Sequence, residues 1–341
     1  MIIGNNILTL NYENRTGNLD VCASGVVKSN KFFPTYEVNN KQYIFKPLSK
    51  TKPLTTPLFS YAEVFWSNII NKYFCEAPVY QLAICNGYTD KEPKYYNKGC
   101  LVENILSKDE HLVNLLEYFR DNPDDNVNIN EYINYCLKFY DYTAIFNSAV
   151  IRNNKSLGES LAMQVLISIL KVDQNFHYEN VAFVCDSENN IKKLAPMIDH
   201  EFSTMFLFPD DVRYNDIYFF RFIESIVTEE SEIYRNLKYI SEYYPNVVET
   251  FLQQLTKVED KVSNTVLING DFLEPCSSMY YEAGIARYKE NDEEKANKLE
   301  NEINFSNIDI DFVTNKIKKQ VILTIGIMKK QLENMLGKKR R

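Results

Sequence analysis

Residues Gly158–Lys171 place apolar side chains on nearly every helical face, with Leu161, Val165 and Ile169 on one side and Met163, Leu166 and Leu170 on another. A helix that is apolar all round has to be central and buried. The chain around it must therefore supply a shell of further helices. With 341 residues, 45% hydrophobic and 25% charged, it has material for that shell and for a second lobe. The same figures exclude a disordered chain, a collagen-like repeat and a disulfide scaffold.

The chain changes character along its length. Residues 1–103 read as strand-rich, with short β-branched or aromatic runs at Ile7–Tyr12, Phe32–Val38, Gln42–Pro47 and Val79–Asn86, bounded by Asn, Gly or Pro. Among them Tyr61–Phe74 has helical spacing through Val64, Phe65, Ile69, Ile70 and Phe74. From Ser107 the pattern turns helical. Ser107 and Glu110 form a capping-box pattern ahead of Leu112, Leu115 and Leu116. Helices are predicted at Ile129–Val150, Gly158–Lys171, Tyr214–Val227, Glu230–Tyr243, Pro245–Val258, Met279–Lys289 and Ile310–Leu336. Lys289–Glu302 reads as a solvated charged stretch, and Lys338–Arg341 as a basic tail. The expected architecture is α+β and bilobed: a β-rich lobe over 1–103 and a larger all-helical lobe over 104–341.

Directly after the buried helix, KVDQNFHYEN gathers Asp173, Asn175, His177, Glu179 and Asn180 ahead of the strand-like Val181–Val184. Burying such a cluster unpaired costs several kcal/mol, so it must be solvated, hydrogen-bonded or functional. A second strand-like stretch, Leu194–Phe202, carries Asp199, His200 and Glu201. Two polar clusters flanking a hairpin suit phosphoryl transfer, in which one loop orients a hydroxyl and both supply hard oxygen ligands to magnesium. Asn180 and Asp199 are the candidate metal ligands. A polar hairpin without catalytic role is the competing reading of this segment alone.

The β-rich lobe would then have to supply a phosphate cradle and a cation. CASGVVK offers a small-residue turn with Ser24, Gly25 and Lys28, and QYIFKP a strand with Lys46. Glu63 lies on the lobe's one helix, and a strand Lys paired with a helix Glu is the kinase arrangement. At LVENIL, the backbone of Glu103–Ile105 is placed between the lobes to meet an adenine.

Taken in order, S-G-x-x-x-K (Ser24, Gly25, Lys28), Y-I-F-K-P (Lys46), A-E (Glu63), the V-E hinge (Glu103), H-x-x-N (His177, Asn180) and L-A-P-x-x-D (Leu194 to Asp199) resemble the HipA-like serine/threonine kinases of compact type, over about residues 20–205. The resemblance implies a protein-kinase-like fold, ATP and magnesium as cofactors, transfer to Ser or Thr of a protein substrate, and autophosphorylation near Ser24. It also implies a bacterial cytoplasmic setting with delivery to a host cell. One departure matters. In the family the base Asp lies two residues before the His, where this chain has Asn175, while Asp173 sits four before His177. Either Asp173 bends into the base position, with His177 organising the loop, or the chain is a nucleotide-binding pseudokinase. A lipid or small-molecule kinase is a third reading, ranked lower because no basic amphipathic helix suited to lipid docking is evident.

The net charge of −8 argues against a nucleic-acid binder. Seven cysteines without a C-x-x-C pair exclude the common zinc spacings and suit free thiols in a reducing compartment. The N-terminus lacks the pattern of a secretory signal, and no stretch is apolar enough to span a membrane.

Overall fold

The computed structural model describes residues 7–20, 32–38, 40–49, 59–91, 95–124, 127–128, 141–173, 176–198, 200, 212–264 and 310–339. Ser24, Gly25, Lys28, Asn175 and Asp199 lie outside the described residues, as do the helix expected at Met279–Lys289 and the charged stretch after it.

The N-terminal lobe is a six-stranded sheet of β1 (Leu8–Asn11), β2 (Gly17–Asp20), β3 (Phe32–Val38), β4 (Lys41–Ser49), β5 (Tyr80–Asn86) and β6 (Tyr95–Glu103), in the order β1-β5-β6-β4-β3-β2. All pairings are antiparallel except β1 with β5. A short α2 (Tyr88–Lys91) follows β5, and helix α1 (Phe59–Tyr73) packs on β5 and β6. Its other face meets the helical lobe, where the Phe74 ring just beyond it stacks on Phe251 at 5.0 Å. A helix covered on two sides has little solvent face left. Tyr61, Ala62, Phe65, Trp66 and Ile70 are buried, and so is Glu63, which places a carboxylate at the junction of the lobes.

Strands β4 and β6 approach closely beside Lys46. Gly99 pairs with Pro47, and a Cβ at Gly99 would sit 2.8 Å from Pro47 Cα and closer still to the Lys46 carbonyl oxygen. No side chain fits there without parting the strands. Gly99→Ala is expected to destabilise the protein by about 1–3 kcal/mol, the usual range for overpacking, read by chemical denaturation; an unchanged midpoint would contradict this close approach.

In the C-terminal lobe, α6 (Lys155–Leu170) is enclosed as its composition requires, with twelve of its sixteen residues buried. Around it lie the short α4 (Thr143–Asn147) and α5 (Ala149–Arg152), then α7 (Val212–Val227), α8 (Glu232–Tyr243), α9 (Pro245–Ser263) and the 30-residue α10 (Ile310–Lys339). The lobe is not wholly helical. It also holds a three-stranded antiparallel sheet of β7 (Glu110–Asn114), β8 (Ala182–Asp186) and β9 (Ile191–Leu194), with β8 central.

That sheet revises two local expectations. Glu110–Asn114 pairs with β8 rather than opening a helix, because Leu112 and Val113 have a strand partner in Val184 and Phe183. The Ser107–Glu110 bond does form, from Ser107 N–H to Glu110 Oε2 at 3.0 Å, but it closes a turn into the strand. The helix begins five residues later as α3 (Leu115–Asp121), capped by the Asn114 side chain accepting from Glu117 N–H. Second, regular strand structure in LAPM ends at Leu194. Ala195 makes one further bond, its N–H to the Ala182 carbonyl at 2.7 Å.

Candidate functional site between the lobes

Lys46 and Glu63 meet as the sequence pattern requires. Strand β4 directs Lys46 Nζ to Glu63 Oε1 at 2.5 Å, with the Lys side chain 23% exposed and the Glu 1%. Glu63 Oε2 accepts the backbone N–H of His200 at 2.7 Å. One buried carboxylate thus bonds an N-terminal strand and a C-terminal segment that lies 137 residues beyond Glu63 in sequence. Charge-assisted bonds to both oxygens offset the desolvation that an unpaired buried carboxylate would suffer.

The catalytic-loop candidate begins at the end of α6. The N–H of Asp173 bonds the Ser168 carbonyl at 3.0 Å and that of Val172 the Ile169 carbonyl at 3.0 Å. This is the Schellman bond pair that ends many helices. The motif's left-handed position, commonly glycine, is here Val172 at φ +52°, a costly conformation for a β-branched residue. The resulting sharp turn lets the side chains on either side of Val172 converge. Lys171 Nζ bonds Asp173 Oδ2 at 2.7 Å and His200 Nδ1 at 3.0 Å, all three residues being buried.

His200 is fully enclosed, with its ring tilted 5.8 Å from that of Tyr80. Burial, and secondarily the Lys171 and Lys46 cations, push its pKa well below the ordinary histidine value. Nδ1 accepts from the Lys171 ammonium, so the proton of the neutral ring belongs on Nε2. Among the described residues that atom has no hydrogen-bond partner.

Beyond Asp173 the loop is pinned from several sides. Tyr178 O–H donates to the Asp141 carbonyl at 2.8 Å, and the Leu115 N–H donates to the carbonyls of Tyr178 and Val181 at 3.0 and 2.8 Å. His177 works within the loop. Its carbonyl accepts from Asn180 N–H at 2.9 Å, and its Nδ1 from Glu179 N–H at 3.2 Å. Both His177 and Asn180 are partly exposed where the loop enters β8. A buried Gln164 on α6 anchors the segment leading to residue 199, donating to the Ala195 carbonyl at 2.7 Å.

At the expected hinge the backbone is bonded to the sheet. Glu103 N–H bonds the Val79 carbonyl and Asn104 N–H the Gln42 carbonyl, while the Glu103 side chain pairs with Lys41 at 2.6 Å. These donors serve the sheet. For metal, Asn180 offers a hard oxygen of the kind magnesium takes. No group of three or more His, Cys, Asp or Glu gathers as ligands among the described residues.

The structure therefore brings Lys46, Glu63, Asp173 and the backbone at 200 into one network, with Asn180 and His177 on the loop that follows. Lys171 and the His200 side chain are members to which the sequence pattern gave no role. The available signals were a lysine closing an otherwise apolar helix and a histidine beside the expected metal aspartate.

No family model and no curated protein matches the sequence. Among solved structures, the fold is similar to that of the Helicobacter pylori proinflammatory kinase CtkA, at 16% identity and a TM-score of 0.44, covering 79% of this chain and 95% of that one. No helix among the described residues is long and apolar enough to cross a membrane.

Proposed function

We propose that the protein is a phosphotransferase that moves the γ-phosphoryl group of ATP to a Ser or Thr hydroxyl of a protein substrate, in the manner of the HipA-like kinases. One observation carries the reading: a strand lysine, a buried helix glutamate and the backbone at position 200 are joined between a β-rich and a helical lobe. A cation aimed and held in this way suits the α- and β-phosphates of a nucleotide. In the Lys46–Glu63 pair, the carboxylate keeps the flexible lysine stem in one rotamer, so that little ordering is needed when phosphate arrives.

Asn180 and Asp199 are the residues that would hold magnesium, which when bound neutralises phosphate charge. The backbone at Glu103–Ile105 receives the adenine. Ser24, Gly25 and Lys28 form the phosphate loop, with autophosphorylation nearby. Asp173 orients the acceptor hydroxyl from its ion pair with Lys171, and His177 shapes the loop. Phosphoryl transfer through a loose transition state asks more for orientation than for proton removal. The setting is a bacterial cytoplasm.

A second reading, a nucleotide-binding module without transfer, is favoured by the burial of Asp173 against Lys171 and by Asn at position 175. Incubation with γ-labelled ATP, magnesium and Ser/Thr-rich acceptor proteins separates the two. Label on Ser or Thr, in the acceptor or in the protein itself, is expected. Binding of ATP without transfer would establish the second reading, and transfer to phosphoinositide alone would make the protein a lipid kinase.

A further inference from the structure

Lys171 is wholly buried, yet it closes a helix whose neighbouring residues are Leu170 and Val172. A purely structural purpose at such a place is met by an apolar residue, since buried ion pairs can often be replaced by well-packed apolar groups without loss of stability. The chain instead keeps an ammonium there and holds Val172 in a left-handed conformation that lets Lys171 and Asp173 meet. Strain of this kind at a polar cluster points to a function for the geometry it produces.

The ammonium has two identified partners on different segments. Asp173 opens the loop that runs on to His177 and Asn180. His200 follows Asp199 in the chain, and its N–H bonds Glu63, which in turn holds Lys46. From Lys46 to Asp173 the polar contacts are continuous through the backbone and ring of His200.

We propose that Lys171 is a positioning residue, whose buried ammonium fixes the loop at Asp173 against the segment at His200 and so keeps the two segments assigned to magnesium and nucleotide in register. The inference rests on the phosphotransferase reading for its consequence, but not for the registration of the two segments.

The test uses the full chain as Lys171→Met and as Lys171→Met/Asp173→Asn, the second leaving no unpaired charge in the pocket. ADP binding is measured by calorimetry with and without magnesium, and backbone hydrogen exchange is followed over peptides covering 176–180 and 195–200, with α9 as reference. In the double variant, magnesium-free ADP affinity is expected to stay within about threefold of wild type, while the enhancement by magnesium falls by about tenfold or more. Exchange at 195–200 and 176–180 is expected to quicken by about tenfold with α9 unchanged. Wild-type exchange in both peptides would overturn the proposal. So would a rise shared equally by α9, or failure of both variants to fold, because Lys171 would then be structural only. Unchanged magnesium enhancement would overturn its catalytic consequence. If wild type binds no nucleotide, the phosphotransferase reading fails, while the exchange comparison still decides whether Lys171 registers the two segments.

Discussion

Asp173→Asn is expected to lower turnover by about 10²–10⁴-fold, the usual worth of a positioned acid–base group. Asp173 is not assigned to the nucleotide, so ATP affinity in the folded variant should stay within about twofold. The substitution has a second effect that must be separated from the first. It removes the carboxylate facing Lys171, and breaking a buried pair from one side costs about 3–5 kcal/mol. Turnover is therefore compared well below the lowered unfolding midpoint. His177→Ala and Asn175→Asp complete the test. If His177 were the base, its replacement would be the damaging one and Asp173→Asn nearly silent. If the protein is a binding module, wild type has no turnover to lose, and Asn175→Asp, which restores the family spacing, is the change that could switch it on.

Asp199→Ala is expected to abolish magnesium-dependent transfer, by about 10³-fold or more, because it removes a carboxylate assigned to the metal and phosphates. The neighbouring contacts through which the fold uses this segment are made elsewhere. The backbone of His200 bonds Glu63, its ring bonds Lys171, and Ala195 bonds Gln164. The variant should accordingly keep the wild-type unfolding midpoint within a few degrees while losing activity. Near-normal turnover, checked with labelled ATP, would remove the metal assignment.

Much of this arrangement was legible in the sequence because the signals were local. The helix at Gly158–Lys171 reports burial by being apolar all round, the run Phe32–Val38 reports a strand by its aromatic and β-branched content, and both elements formed close to where the pattern put them. Lys46 and Glu63 could be paired because a strand lysine and a helix glutamate fit a known pattern. Longer-range facts were not legible. Glu110–Asn114 is a strand because β8 pairs with it from some seventy residues away, and no capping rule records such a partner. The roles of Lys171 and His200 depend on a left-handed turn at a valine, a conformation that the residue type argues against. Nor does any local pattern record that the Glu103 and Asn104 N–H groups are bonded to Val79 and Gln42 of the sheet lobe.

The central claim is that Lys46, held by Glu63, grips the phosphates of a nucleotide between the lobes. Calorimetric titration of ATP with magnesium into wild type and Lys46→Ala tests it most directly. The account predicts saturable binding to wild type, and about tenfold or greater weakening in the variant, since a charge-assisted bond is worth about 1.5–3 kcal/mol. Equal affinity for the two proteins, or no binding to wild type, would contradict it.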